Sequence, residues 1–189
     1  MNKTDWFRDS KWGIFTHYLW SNVNTEPLHS QGRGTTDWSE CVNEFDVEKY
    51  VASIKEAGAG YAIFTIMQGD KYMCAPNAAY DKITGLLPGE ACSKRDLISE
   101  IADALEKENI PLMLYYTGDG PYKNEYTGRM FGYYDRDKQK VSDQFVTKWA
   151  EVAKEYSLRY GSRIKGWWVD GCYDHFGYGR NILKYIQRL

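Results

Sequence analysis

Asp170 closes an apolar run, Lys165-Gly166-Trp167-Trp168-Val169-Asp170-Gly171. A carboxylate at the carboxyl end of such a run, beside tryptophan, suits a nucleophile or a proton-transferring acid/base group. The same residue there also suits a cap on a following turn or helix. Side chains alternate along a strand, so Gly166, Trp168 and Asp170 share one face and the carboxylate goes where Trp168 goes. His17 ends a second run, Gly13-Ile14-Phe15-Thr16-His17. Its imidazole can hydrogen-bond a substrate hydroxyl or a neighbouring loop carbonyl. Tyr115 and Tyr116 are consecutive near the end of a third run, and alternation sends one to a pocket and the other to the helices. Trp38, in the first long connection, either walls a cleft or packs its own loop down. Asp70, after Gly69, reads as a turn residue. Gly118-Asp119-Gly120 is a flexible loop without the Gly-Lys-Ser/Thr ending of a phosphate loop.

The cysteines, Cys41, Cys74, Cys92 and Cys172, have no metal-ligand spacing, and the chain adds only His17, His29 and His175. No structural zinc site and no cofactor is expected, and the thiols are expected to be free.

Four short apolar runs have the character of strands covered on both faces: Gly13–His17, Tyr61–Ile66, Pro111–Thr117 and Gly166–Asp170. Helical patterns lie between them. Asp46 caps the first, which carries Tyr50, Val51, Ile54 and Ala57. Ser93 starts the second, with Asp96 three residues on and Leu97, Ile98, Ile101, Ala102 and Leu105 as its stripe. The third runs from Ser142 to Tyr160, and a fourth begins near Arg180 with Ile182, Leu183 and Ile186. Strand–helix alternation of this kind predicts a single α/β unit over residues 1–189, with adjacent parallel strands in chain order. The strand starts lie roughly fifty residues apart, against about thirty per unit in a plain (β/α)8 barrel. The excess sits in Tyr18–Glu44, Met67–Cys92 and Gly118–Lys140, the segments after the strands, where α/β folds bind ligands. Four units use the whole chain, and eight would need roughly 400 residues. The sheet is therefore expected to be completed by further chain or by a second copy, or else to stay open.

The 24 basic and 26 acidic residues nearly cancel. Nucleic acid is not the expected partner. No apolar run approaches ~18 residues, so no membrane-crossing helix is expected. The 16 Tyr, 7 Trp and 7 Phe in 189 residues fit either a ring-binding cleft or a tyrosine-rich core and surface. Met1-Asn2-Lys3-Thr4-Asp5 has no apolar signal core; the reading is cytoplasmic if that terminus is native, secreted or periplasmic if a signal was removed.

The order of these motifs resembles the retaining α-L-fucosidase family of glycoside hydrolases along nearly the whole chain. The resemblance is carried by Trp6–His17, by Phe45-Asp46 and Ala57–Ala62, by Arg95-Asp96-Leu97, by Leu114–Thr117 and by Trp167–Gly171. It implies a (β/α)8 TIM-barrel-like catalytic domain, of which this chain supplies the N-terminal half, about four βα units. It implies Asp170 as nucleophile and His17 as a sugar-binding histidine. Asp37 and Trp38 stand where the family has a Glu-Trp pair that holds the sugar, and Tyr115 or Tyr116 matches a tyrosine near the anomeric carbon. After the second strand the family has Lys-His-His-Asp-Gly-Phe, where this chain has Met67-Gln68-Gly69-Asp70-Lys71-Tyr72. Gln68 can supply one of the two missing polar contacts. The family's acid/base carboxylate lies beyond the fourth strand. The resemblance implies a small carbohydrate or glycoconjugate substrate. Three readings follow: a glycoside hydrolase, a non-catalytic carbohydrate-binding relative, and an α/β domain sharing only the fold.

Overall fold

The structure, a computed structural model, describes residues 4–20, 37–135 and 142–171. Cys172, His29, His175 and the helix expected near Arg180 lie outside the described residues.

Strands β1 (Ile14–Thr16), β2 (Ala62–Met67), β3 (Leu112–Thr117) and β4 (Ile164–Asp170) form one parallel sheet in the order β1-β2-β3-β4. This is the expected fold class and strand order. The helices are α1 (Asp5–Asp9), α2 (Trp38–Asn43), α3 (Val47–Glu56), α4 (Ala78–Thr84), α5 (Leu97–Lys107), α6 (Glu125–Phe131) and α7 (Asp143–Tyr160). The starts of α2 to α7 follow from side-chain caps that occupy otherwise orphaned N–H groups, while α1 starts after Thr4 without one. Asp46 accepts from Lys49 N, Asp96 from Ser99 N and Ser142 from Phe145 N. The second helix was expected to start at Ser93, but it starts at Leu97. The Ser93 hydroxyl instead donates to the Arg95 carbonyl, and the Asp96 carboxylate is the cap.

Three short helices lie inside segments that read as connections. Asp37 caps α2, Asn77 caps α4 and Asn124 caps α6. Each is too short for a full amphipathic repeat, so periodicity could not find it. Cys41 accordingly lies on a helix; Cys41, Cys74 and Cys92 are buried, and Cys74 and Cys92 are free thiols.

The two faces of the sheet differ. One carries Ala62, Phe64 and Ile66 of β2 with Leu112, Leu114 and Tyr116 of β3, packed against α3, α5 and α7 as the main core. Ile14, Trp167 and Val169 pack at its margin. Phe15, Thr65, Tyr115, Trp168 and Asp170 occupy the opposite face, where the ring centroids of Phe15 lie 5.4 Å from Tyr115 and 5.7 Å from Trp168. Phe15 is 39% and Trp168 43% exposed, so this second face is open among the described residues.

Strand alternation is interrupted once where it matters for the site. Thr65 pairs with Tyr115, but Met67, not Ile66, pairs with Tyr116. This bulge places both Ile66 and Met67 in the helix-side core. The next residue, Gln68, is thereby turned to the open face.

Candidate active site

The carboxyl ends of the strands bring four of the singled-out residues together. Asp170 is the last residue of β4 and pairs in register with Thr117. Its Oδ2 accepts from the Tyr115 hydroxyl at 2.8 Å, and its Oδ1 accepts from the Gly171 N–H at 2.8 Å. Gln68 Nε2 donates to the same Tyr115 oxygen at 3.0 Å. Gly171 has φ +79°, and a Cβ there would meet Asp119 Oδ2 at 2.9 Å. The positive φ favours glycine directly after the carboxylate. The 2.9 Å approach brings Asp119, which read as part of a flexible loop, against the site.

His17 lies beside this chain of contacts. Its ring is 4.9 Å from that of Tyr115, edge to face, and 4.6 Å from Phe15. Its Nδ1 is 2.8 Å from Thr65 Oγ1. The Thr65 hydroxyl also lies 3.1 Å from the Thr16 carbonyl. When its single proton goes to that carbonyl it accepts from His17, an assignment that puts the ring proton on Nδ1 and the lone pair of the neutral ring on Nε2. Burial lowers the His17 pKa below its ordinary value, and the negative charge of Asp170 partly opposes this. The neutral ring is thus the prevailing form near pH 7. Tyr115 is pushed the other way: burial, then donation to the Asp170 carboxylate, raises its pKa and keeps its proton in place.

The remaining residues are placed elsewhere. Tyr116 is not at the cleft: it is buried on the helix side, stacked on Trp149 with centroids 4.8 Å apart and planes 6° apart. The Tyr115↔Trp168 and Tyr116↔Val169 register decides which tyrosine faces which way. Trp38 packs its loop down rather than walling the cluster. It is 3% exposed, and its indole N–H donates to the Met73 carbonyl at 2.7 Å. Asp37 caps α2 through Ser39 N at 2.7 Å; burial raises the pKa of Tyr72, and the charges of Asp70 and Asp37 add to the rise. Thr65 and Phe15 carried no signal as site residues. A hydroxyl two residues from the end of a buried strand is visible in sequence, but its partner across the sheet is not.

The family model described as alpha-L-fucosidase matches residues 36–187. The chain belongs to the alpha-L-fucosidase family. Among solved structures, a bacterial fucosidase with a monovalent iminocyclitol inhibitor is 18% identical, with a TM-score of 0.60 over 91% of this chain and 42% of that one. The alpha-L-fucosidase AlfC of Lactobacillus casei, in complex with alpha-L-fucose product, is 19% identical, with a TM-score of 0.61 over 100% of this chain and 68% of that one. An alpha-L-fucosidase of Vibrio sp. strain EJY3 is 16% identical, with a TM-score of 0.63 over 98% of this chain and 36% of that one. At these identities the likeness shows the fold, a parallel α/β sheet consistent with part of a TIM barrel. The chain spans less than half the length of two of these three relatives. No curated protein matches the chain. The segment after β2 is where the sequence departs from the run that the resemblance implies. Gly69 has φ +80°, a Cβ on it would meet the Tyr122 ring at 2.9 Å, and its carbonyl accepts from Lys123 N at 2.7 Å. The connection after β3 fills the space a histidine side chain would need there.

Proposed function

We propose that this chain is the nucleophile-bearing part of a retaining glycoside hydrolase acting on α-L-fucosides or a closely related sugar. The observation that carries the reading is the Asp170 carboxylate, held at a strand's carboxyl end by Tyr115 and the Gly171 N–H, in a chain of the fucosidase family. In this reading Asp170 Oδ attacks the anomeric carbon as the glycosidic C–O bond breaks, giving a covalent glycosyl-enzyme. A second carboxylate about 5–5.5 Å away protonates the leaving oxygen and then takes a proton from the water that releases the sugar. The Nε2 lone pair of His17 accepts from a sugar hydroxyl. No metal or cofactor takes part in these steps.

The acid/base carboxylate is supplied by whatever completes the sheet. The open face with Phe15 and Trp168, and the coverage of only part of the neighbours' chains, support completion by further chain or by a second copy. Light scattering on the purified chain tests this. A well-dispersed 189-residue monomer without exposed-patch dye binding would show the four units to be self-sufficient.

The decisive experiment incubates the protein with a panel of aryl glycosides, and with the matching 2-fluoro glycosyl fluorides, then records intact mass. Turnover and a mass increment of one glycosyl group, both lost in Asp170→Ala, are the expected result. The second reading, a carbohydrate-binding relative without turnover, is favoured by the filled space at Gly69. It predicts a calorimetric binding isotherm for free sugar that survives Asp170→Ala, with no turnover of any glycoside.

A further inference from the structure

We infer that Gln68 is a positioning residue: it commits the single hydroxyl proton of Tyr115 to Asp170. The inference rests on the reading of Asp170 as nucleophile for its functional meaning, but not for its test.

A phenol has one proton and can accept as well as donate. The Tyr115 oxygen has three polar neighbours: Gln68 at 3.0 Å, Asp170 Oδ2 at 2.8 Å, and the Thr117 hydroxyl, whose hydrogen bond favours the ionised phenol and is therefore donated to it. If the amide presented Oε1, it and Asp170 would be acceptors competing for one proton. With Nε2 presented, the amide can only donate, the phenol oxygen accepts there, and the proton goes to Asp170. The bulge in β2 is the device that makes it possible. By plain alternation Gln68 would fall on the helix side with Ile66; the extra residue turns it across to Tyr115 instead. An amide does not titrate, so the direction of the relay Gln68→Tyr115→Asp170 is the same at any working pH. Donation to Oδ2 favours the carboxylate over the acid, which keeps the attacking group charged. It also holds the carboxylate plane while the Gly171 N–H holds Oδ1.

The test reads the carboxylate directly and needs no activity. The full chain is labelled with carboxyl-13C aspartate, the Asp170 signal is assigned with Asp170→Asn, and its shift is followed against pH. Gln68→Glu places an acceptor and a like charge at the phenol, and Gln68→Met removes the donor at nearly constant volume. The proton affinity of Asp170 is expected to rise about tenfold in Gln68→Glu and about threefold in Gln68→Met. Tyr115→Phe should raise it about tenfold, and Gln68→Met should add nothing in the Tyr115→Phe background, because Gln68 acts through the hydroxyl. An unchanged Asp170 titration in Gln68→Met overturns the proposal. So does an equal effect of Gln68→Met with and without the hydroxyl. If Gln68→Glu fails to fold, Gln68→Met alone decides. A chain that shows the coupling but hydrolyses no glycoside retains the relay and loses the hydrolase reading. A chain that hydrolyses glycosides without the coupling does the reverse.

Discussion

Tyr116 lies flat against Trp149 on the helix side of the sheet, fully buried, its hydroxyl without a hydrogen-bond partner among the described residues. One residue earlier, Tyr115 points to the opposite face, receives a hydrogen bond from Gln68 and gives one to Asp170. The two side chains are chemically identical and adjacent, yet one serves as an apolar plate and the other as a polar relay. The same contrast runs along the whole sheet. On the helix side, Phe64, Ile66, Leu112 and Leu114 meet α3, α5 and α7 in a close-packed core where shape decides. On the other side, Phe15 and Trp168 are partly exposed while Thr65 and Tyr115 are buried, and hydrogen bonds join the side chains at its upper edge. Stability is concentrated on one face and chemistry on the other, so substitutions on the two faces should separate the two properties.

The largest effect expected is on chemistry. On the proposed mechanism, Asp170→Ala should lower glycoside turnover about 10⁴-fold, or to background. The urea midpoint should move little, since the carboxylate stands on the open face. A turnover rate that survives the substitution breaks the assignment.

Next come the two tryptophans on opposite faces. Trp149→Ala removes a buried ring, its stacking on Tyr116 and its N–H donation to the Thr117 carbonyl at 2.8 Å. It should cost about 3–5 kcal/mol in urea denaturation. Trp168→Ala, at a residue 43% exposed, should cost less than about 1.5 kcal/mol. If the two costs are equal, the second face is covered in solution and the contrast fails.

The two tyrosines give a finer version. Tyr116→Phe removes a buried hydroxyl that has no partner among the described residues, so stability should stay within about 1 kcal/mol of wild type, on the stabilising side. Tyr115→Phe removes the hydrogen bonds of a buried hydroxyl and should cost about 1–2 kcal/mol while slowing turnover about tenfold or more, measured as kcat/KM on an aryl glycoside.

The smallest effect is on pH dependence. Burial lowers the pKa of His17 in the folded state below its ordinary value of 6.5. The unfolded chain then binds more protons than the folded one as pH falls below about 6.5, so folding stability declines with acidification there. The contribution is fully present above that value and is lost as pH falls through the lowered pKa. Urea midpoints of His17→Gln against wild type, from about pH 7.5 to 5, should converge on the acid side. Parallel curves would mean the ring titrates alike in both states.

Much of the scaffold follows from local chemistry. The apolar runs ending at His17, Thr117 and Asp170, the caps at Asp46 and Ser142, and the stripe of α5 are decided within a few residues of chain. Period-two alternation and orphaned N–H groups act at that range. The short helices α2, α4 and α6 are not legible in this way, because one or two turns give no repeat to detect and their stability comes from packing on distant elements. Asp96 replaced Ser93 as the cap of α5 for a similar reason: the Ser93 hydroxyl found the Arg95 carbonyl, while Asp96 accepts both from Ser99 N and from the Tyr160 hydroxyl at 2.8 Å, a residue of α7.

The sequence by itself determined that Asp170 ends one strand, that His17 follows another, and that one tyrosine of the pair would face the same way as the carboxylate. Only the tertiary structure decided which tyrosine, because that depends on the register of β3 against β4. It also decided that Trp38 would sink to the Met73 carbonyl. And it decided that Gln68 would join the cluster, since a single extra residue in β2 reverses the face of everything after it. Such a bulge is set by how two strands pair across the sheet, and pairing between residues some fifty positions apart leaves no trace in the local pattern of either strand.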